Sequence, residues 1–412
     1  MNKNILYTFF AGIIFFTVVL PGADNPLVIK AGKIHTISHG IIENGAVLIE
    51  KGKIKSIGSH INIPPDVKII DAGEDVWMLP GLIESHTSMG TGSRYSGSDM
   101  DETSAPNTAQ LSVIDAVNPF DKNFQYAGKA GITTLMLSQG RTNVIGGQTA
   151  VVKVKGKTIS EMILQSPAGV KISLGETPKT FYGQKGKLPS TRMGSAYVLR
   201  NALMDAQHYL DEWEKYWKSE KDEPNEMPKR DLQLEPLAKL LQQELIAFIE
   251  CYRADDIMTV LRIVDEFTLR AVLVGCAEGY KIPGEIARRN IPVIVSPFGV
   301  GPRRMETKAL TQSNAAILHQ AGVKVAIKAD ESLGIGSIRE LPLLAALAVK
   351  GGLDRETALR TITLNAAEIL DIADRVGSLE PGKDADLVIF DGDPLDYRTR
   401  VKQVFVNGEP LT

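Results

Sequence analysis

Apolar and polar residues alternate along three stretches near the start of the chain: 27–37 (LVIKAGKIHTI), 45–58 (GAVLIEKGKIKSIG) and 67–81 (VKIIDAGEDVWMLPG). A period of two with glycine turns between the stretches predicts short, half-buried antiparallel strands. The other end of the chain repeats the pattern in 384–394 (DADLVIFDGDP) and 400–410 (RVKQVFVNGEP). Residues 24–78 and 375–412 are therefore expected to build one small, β-sandwich-like domain from both chain ends. Between them the pattern changes to continuous apolar runs at 132–138, 169–175, 245–250, 270–275, 291–296 and 323–330, separated by amphipathic stretches such as ADDIMTVLRIVDEF and PGEIARRN. Repeated strand–helix units over 79–374 predict an α/β fold, a (β/α)8 TIM barrel. Residues 197–243 interrupt the rhythm with charged and aromatic residues at helical spacing, broken by Pro224 and Pro228. They read as two inserted helices whose stripe Tyr209, Trp213, Tyr216 and Trp217 is for packing.

The first residues have another character. One lysine precedes an apolar run from Ile5 to Leu20, and Pro21-Gly22-Ala23 follows. That order predicts a signal peptide over 1–23 and an exported protein, periplasmic or extracellular; the alternative is an uncleaved membrane anchor. No cysteine follows the run, which argues against a lipid-anchored form.

With 412 residues, the chain can bury a large core beside a smaller domain. A net charge of −3 and 23% charged residues give no basic footprint for nucleic acid or an anionic membrane, so a small-molecule partner is expected. The two cysteines, Cys251 and Cys276, follow matching strand ends and can lie close together; they read as buried free thiols.

In such a barrel the reactive groups sit at the C-terminal ends of the strands. The run VWMLPGLIESHTSMG places an acid, a spacer and then His86-Thr87-Ser88 at one of these ends. LIAFIECYRADDI places Glu250, and RAVLVGCAEGYKI places Gly275 ahead of Glu278-Gly279-Tyr280-Lys281. VKVAIKADESLG ends on Asp330, which would otherwise be a helix N-cap. AGVKISLGETPKTFYG carries Lys171, with Glu176 and Lys179 as competitors in the following loop.

These segments, together with 129–153, 177–194 and the turn 377–386 (GSLEPGKDAD), resemble the amidohydrolase superfamily in its imidazolonepropionase-like, exported branch. The resemblance covers nearly everything after the leader. It implies a metal-dependent hydrolase with zinc or manganese held by His86, Glu250 and Asp330, and with Asp330 also taking a proton from the attacking water. Lys171 corresponds to a lysine that, in binuclear members, is carbamylated to bridge two metals. The family's first strand ends in His-x-His, so Ser88 marks a lost imidazole, and Gly275 marks a second.

Two readings follow. One is hydrolysis of a non-peptide or dipeptide-like C–N bond by metal-activated water. The other, toward which the losses at Ser88 and Gly275 tilt the balance, is a non-catalytic pseudoenzyme without metal, acting as a binding protein, in a homo-oligomer or as the partner subunit of an active paralogue. Specificity is expected in the polar loop 88–107. Arg141 and Asn143 are either substrate contacts or turn-formers, the latter being favoured. His35, His39, His60, His208 and His319 read as surface or packing residues.

Overall fold

The computed structural model describes residues 26–93, 97–219, 226–297, 305–329 and 337–411; the expected leader and Asp330 lie outside them. Five strands come first: β1 (Leu27–His35), β2 (Ile41–Glu50), β3 (Lys53–Gly58), β4 (Lys68–Asp71) and β5 (Trp77–Pro80). Eight more follow, β6 (Leu82–Thr87), β7 (Ile132–Leu137), β8 (Ile145–Lys153), β9 (Ile163–Ser173), β10 (Ile246–Cys251), β11 (Ala271–Gly275), β12 (Val293–Val295) and β13 (Val325–Ile327). The chain closes with β14 (Leu387–Phe390), β15 (Val401–Val406) and β16 (Glu409–Pro410).

Both chain ends share one sheet, in the order β16-β15-β14-β5-β1-β2-β3, with β4 paired to β1. The junction between the two ends is the antiparallel pair β5–β14, where Pro80 faces Leu387 and Trp77 faces Phe390. Strands β6 to β13 form the second sheet in sequence order. Its first and last strands are brought together by Ala329 N, which donates to Glu84 Oε2 at 2.9 Å, and by Ser85 Oγ, which donates to Ile327 O at 3.5 Å. The sheet is therefore a nearly closed eight-stranded barrel.

One strand departs from the expected all-parallel pattern. β8 runs antiparallel to both β7 and β9. Its connection from Leu137 to Ile145 is too short for a crossover helix, and only an antiparallel return fits so short a link.

The barrel interior is packed at its lower end by Ile83, Met136, Val151, Ile246, Phe248, Val272, Val274, Ile294 and Ala326. Helix residues Ala366, Ala367, Ile369 and Leu370 close it from below. In β10 the inward positions alternate, so Phe248 fills this layer and Glu250 lies above it on the same face.

The insertion starts five residues before the expected point, as α1 (Arg192–Lys218), whose Thr191 side chain accepts from Gly194 N; α2 (Leu234–Leu241) follows. Tyr209 and Trp213 are buried against Ala238 of α2, and Trp213 stacks with Trp217 at 6.0 Å between ring centres. Tyr209 and Trp213 of the aromatic stripe are thus packing, with Tyr216 partly buried beside them, while Trp217 is 57% exposed. No described helix is long and apolar enough to cross a membrane.

The distinctive turn 377–386 joins the two sheets electrostatically. Lys153, at the end of β8, donates to Asp384 Oδ2 at 2.7 Å, to Asp386 Oδ1 at 3.1 Å and to Asn407 Oδ1. Arg375 and Lys53 also pair with Asp384, at 2.8 and 2.9 Å.

Candidate functional site

Three strand ends bring His86, Lys171 and Glu250 to one buried point. Register places Lys171 of β9 beside Phe248 of β10, one layer below Glu250. Its side chain turns into the barrel, where Lys171 Nζ lies 3.0 Å from His86 Nε2 and donates to Glu250 Oε2. Lys171 is wholly buried, whereas its competitors Glu176 and Lys179 pair with each other at 2.9 Å in the following helix. The other Glu250 oxygen accepts from Tyr252 Oη and from Arg141 Nη1, the latter at 3.4 Å. Arg141 Nη1 also donates to Tyr252 Oη at 2.9 Å.

The charges at this point are arranged by burial and by one another. His86 is held well below the ordinary imidazole range, first by burial and then by the positive charges of Lys171 and Lys328. It is therefore neutral, accepting at Nε2, and its Nδ1 has no hydrogen-bond partner among the described residues. Burial also lowers Lys171. Burial alone would raise Glu250, but Lys171, Arg141 and Lys328 outweigh it and hold the carboxylate well below its usual range.

A pH prediction follows for His86. The unfolded imidazole takes a proton near pH 6.5 and the folded one does not, so the unfolded state gains protons as the pH falls. Unfolding free energy should drop between pH 7 and 5, and that slope should flatten in His86→Gln. Urea titrations at each pH measure it, and an equal slope in the variant would overturn the assignment. Glu250, being depressed, contributes below that window, its stability being lost as pH falls below about 4.3.

Ser88 and Gly275 are the two positions at which the family resemblance implies a lost imidazole. Ser88 Oγ donates to Met100 Sδ at 3.1 Å. Gly275 has φ +93, and a Cβ there would meet the Tyr252 ring at 2.8 Å and Cys251 O at 3.1 Å. A side chain at this position would meet the Tyr252 ring where it now stands. Gly275→Ala is expected to cost about 1–3 kcal/mol through backbone strain and the ring contact. Denaturant unfolding checks this, and an unchanged midpoint would refute the steric account.

Arg141 and Asn143 separate in the structure. Asn143 is buried, accepting from Tyr182 Oη and donating to Thr108 Oγ1, so it builds the turn. Arg141 reaches Glu250 instead. The turn between them is fixed by Thr142 Oγ1, which donates to Asp101 Oδ2 at 2.7 Å. Asp101 belongs to the loop expected to govern specificity.

The other histidines lie elsewhere: His35 pairs with Glu356 at 2.9 Å, and His39, His60, His208 and His319 are exposed. Cys251 and Cys276 are buried free thiols, and Cys276 N donates to Cys251 O at 2.7 Å. Hydrogen bonding with Cys276, reinforced by burial, pushes the Cys251 thiol well up, which makes it a packing group.

Sequence reasoning passed over Tyr252, Lys328 and Glu306. The spacing Glu250-x-Tyr252 was visible, but nothing in it tells that the ring turns back over Gly275. Glu306 is buried, and its carboxylate accepts from Glu176 N beside Gly175. It lines a cleft with Arg141, Ser173, Thr177, Glu250 and Tyr252.

No group of three or more His, Cys, Asp or Glu side chains capable of holding a metal gathers among the described residues. Here the third group beside His86 and Glu250 is Lys171. As an ammonium it competes with a metal for the same two donors; as a carbamate it becomes an oxygen donor. An imidazole nitrogen and two carboxylate-type groups are a donor set that suits zinc or manganese.

The amidohydrolase family model matches residues 276–411. The amidohydrolase tasK of Hapsidospora irregularis is 25% identical over 88% of this chain, which spans 39% of that longer protein. The imidazolonepropionase of Kosmotoga olearia is 26% identical over 85% of each chain. The crystal structure of an amidohydrolase from Thermotoga maritima MSB8 superposes with a TM-score of 0.88 at 33% identity, covering 94% of this chain and 99% of that one. Members of this family are typically metal-dependent. The barrel with its terminal sheet, the site at the strand ends and this full-length likeness lead to one conclusion: the chain belongs to the amidohydrolase family.

Proposed function

We propose that the protein hydrolyses a C–N bond of a small amide, cyclic amide or dipeptide-like compound at the centre formed by His86, Lys171 and Glu250. The observation that carries this reading is that His86 Nε2 and a Glu250 oxygen, from separate strands, converge on a single point. Lys171 as its carbamate and Asp330 complete the proposed set of metal donors. A zinc or manganese ion, when bound, supplies an acidified water and a polarised carbonyl.

The chain's own residues have definite tasks. Tyr252 and Arg141 hold the outer Glu250 oxygen and so fix the carboxylate's orientation. The packed layer of Phe248, Val272 and Val274 below keeps water from entering from underneath. Asp330, which follows β13, is proposed to receive the proton from the attacking water.

Metal analysis of protein purified without chelator, followed by a screen of N-acyl and cyclic amides, tests the reading. About one metal per chain and hydrolysis abolished by Asp330→Asn are expected. A protein that neither retains nor is stabilised by zinc or manganese would overturn it. That result would favour the second reading, a non-catalytic binder in which the Lys171 ammonium serves as the resident cation. The contacts of Lys171 with both donors are the observation on its side. We also propose export through the apolar leader, with N-terminal sequencing of secreted protein as the check; a mature chain beginning at Met1 in the cytoplasm would refute it.

A further inference from the structure

We propose that Lys153 and Asn407 become joined by an amide bond between their side chains, formed with release of ammonia and with Asp386 as the proton carrier. The inference is independent of the hydrolase reading, because these residues lie at the junction of the two sheets and not at the strand-end centre.

The side chains that such a bond needs already touch. Lys153, the last residue of β8, is buried, and its Nζ donates to Asn407 Oδ1, to Asp386 Oδ1 at 3.1 Å and to Asp384 Oδ2 at 2.7 Å. The carbonyl carbon of Asn407, Cγ, is one bond beyond the oxygen that Nζ contacts. An amine held against a carboxamide in this way needs no encounter, and oriented intramolecular pairs reach effective concentrations of about 10⁵–10⁸ M. That advantage lets an otherwise unreactive amide be attacked at neutral pH.

The turn that carries Asn407 is held on several sides. Asn407 and Gly408, with φ of 51° and 75°, are the left-handed pair of the tight turn between β15 and β16. Asn407 N donates to Asp386 Oδ1 at 2.8 Å, and Gly408 N donates to Ala385 O at 2.9 Å. Beside the turn, Lys155 pairs with Glu409 at 2.5 Å. An Asn-Gly pair ordinarily loses ammonia when the glycine nitrogen attacks Cγ. Here that nitrogen is committed to Ala385 O, so Lys153 Nζ is the nucleophile in place.

The two carboxylates divide the remaining work. Asp384 is paired with Arg375 at 2.8 Å and with Lys53 at 2.9 Å, so it keeps cations when Lys153 gives up its charge. Asp386 is buried, which pushes its carboxyl up against the pull of Lys153, and its Oδ2 has no hydrogen-bond partner among the described residues. It is the group able to hold a proton. Asp386 first takes one from the Lys153 ammonium, and the freed electron pair forms the Nζ–Cγ bond. Asp386 then returns that proton to Asn407 Nδ2, the Cγ–Nδ2 bond breaks, and ammonia leaves. The new amide nitrogen finally gives its surplus proton to Asp386. An ammonium, a carboxylate and a carboxamide have become an amide, a neutral carboxyl and ammonia, without oxidant or cofactor. Exchanging a buried ion pair for neutral groups is favoured by the site itself.

Freshly folded protein holds Lys153 as the ammonium, because its proton must first be drawn from two carboxylate contacts, and the bond accumulates with age. Once made, it links positions 254 apart and ties the end of β8 to the last hairpin, so the two sheets cannot separate on unfolding.

Peptide mapping by mass spectrometry tests this on the full chain, freshly folded and after days at neutral pH. A pair of peptides linked through Lys153 and Asn407 is expected, lighter than their sum by one ammonia, with trypsin no longer cutting after Lys153. Lys153→Arg, which keeps a cation, and Asn407→Ser should each abolish the link. Asp386→Asn should slow it by about a hundredfold or more. Circular dichroism confirms that each variant is folded. Aged parent protein in which trypsin still cuts fully after Lys153 would overturn the proposal. So would a loss of ammonia confined to the Asn407 peptide, which marks a ring closed with Gly408, or conversion of Asn407 to aspartate without a link. A link formed at the parental rate in Asp386→Asn would overturn the role given to Asp386.

Discussion

Replacing Lys153 by methionine should destabilise the folded chain by about 3–5 kcal/mol, because it strips the cation from two buried carboxylates. Lys153 is 3% exposed, and its ammonium serves Asp384, Asp386 and Asn407 together. Methionine fills the volume but offers no donor. Asp384 keeps Arg375 and Lys53, so it retains partners. Asp386 keeps the Asn407 backbone N–H at 2.8 Å but no paired cation among the described residues: its carboxyl is already raised by burial, with Lys153 opposing that shift, and its other oxygen lacks a hydrogen-bond partner among the described residues. It is therefore the group expected to take up a proton. Asp386→Asn should then recover part of the loss in the double variant, since it removes the charge that Lys153 had balanced. Urea unfolding of the two single variants and the double variant gives the coupling directly, and strictly additive effects would mean that the pair is not the source.

Glu250→Gln should be the most damaging change at the site. Glutamine keeps the shape, yet leaves the wholly buried Lys171 without its anion and removes the carboxylate toward which His86 converges. Loss of one partner of a buried pair costs about 3–5 kcal/mol. Residues that only support a metal ligand are worth about 10–100-fold in affinity or activity, so with Glu250 as the proposed direct donor its loss should cost at least about a hundredfold. Thermal unfolding and metal titration of the variant measure the two effects separately. A variant as stable as the parent, with unchanged metal content, would remove Glu250 from the centre. Glu250→Asp, which retains the charge, should recover stability more fully than metal affinity.

Both changes touch residues that the sequence announces unequally. The barrel runs were legible because buried strands are written as apolar stretches: β7, β11, β12 and β13 fall within them, and β10 runs one residue past its own. The reversal of β8 was also encoded, in the short link after Leu137, but it was hidden by the expectation of strand–helix repeats. His86 and Glu250 were visible at strand ends. Lys171 was harder, since which face of a strand a lysine takes depends on register, and β8–β9 pairing contains bulges that shift it. Gly275 was legible as an absence but not as a consequence of the Tyr252 ring. Asp384 and Asp386 stood out in their turn, while their partner Lys153 lies 231 positions away from Asp384, beyond the reach of any local pattern.

The shared terminal sheet has a consequence for how the chain comes into being. Strand β5 is made early and waits for β14, and Lys53 meets Asp384 only 331 residues later. During synthesis the early strands must therefore persist with an unsatisfied edge until the last segment emerges. Contacts so distant in sequence close slowly and leave edges open to wrong partners meanwhile. Nascent chains halted before β14 should depend on chaperones and aggregate readily, and a protein lacking its final forty residues should fail as a whole instead of losing one small domain.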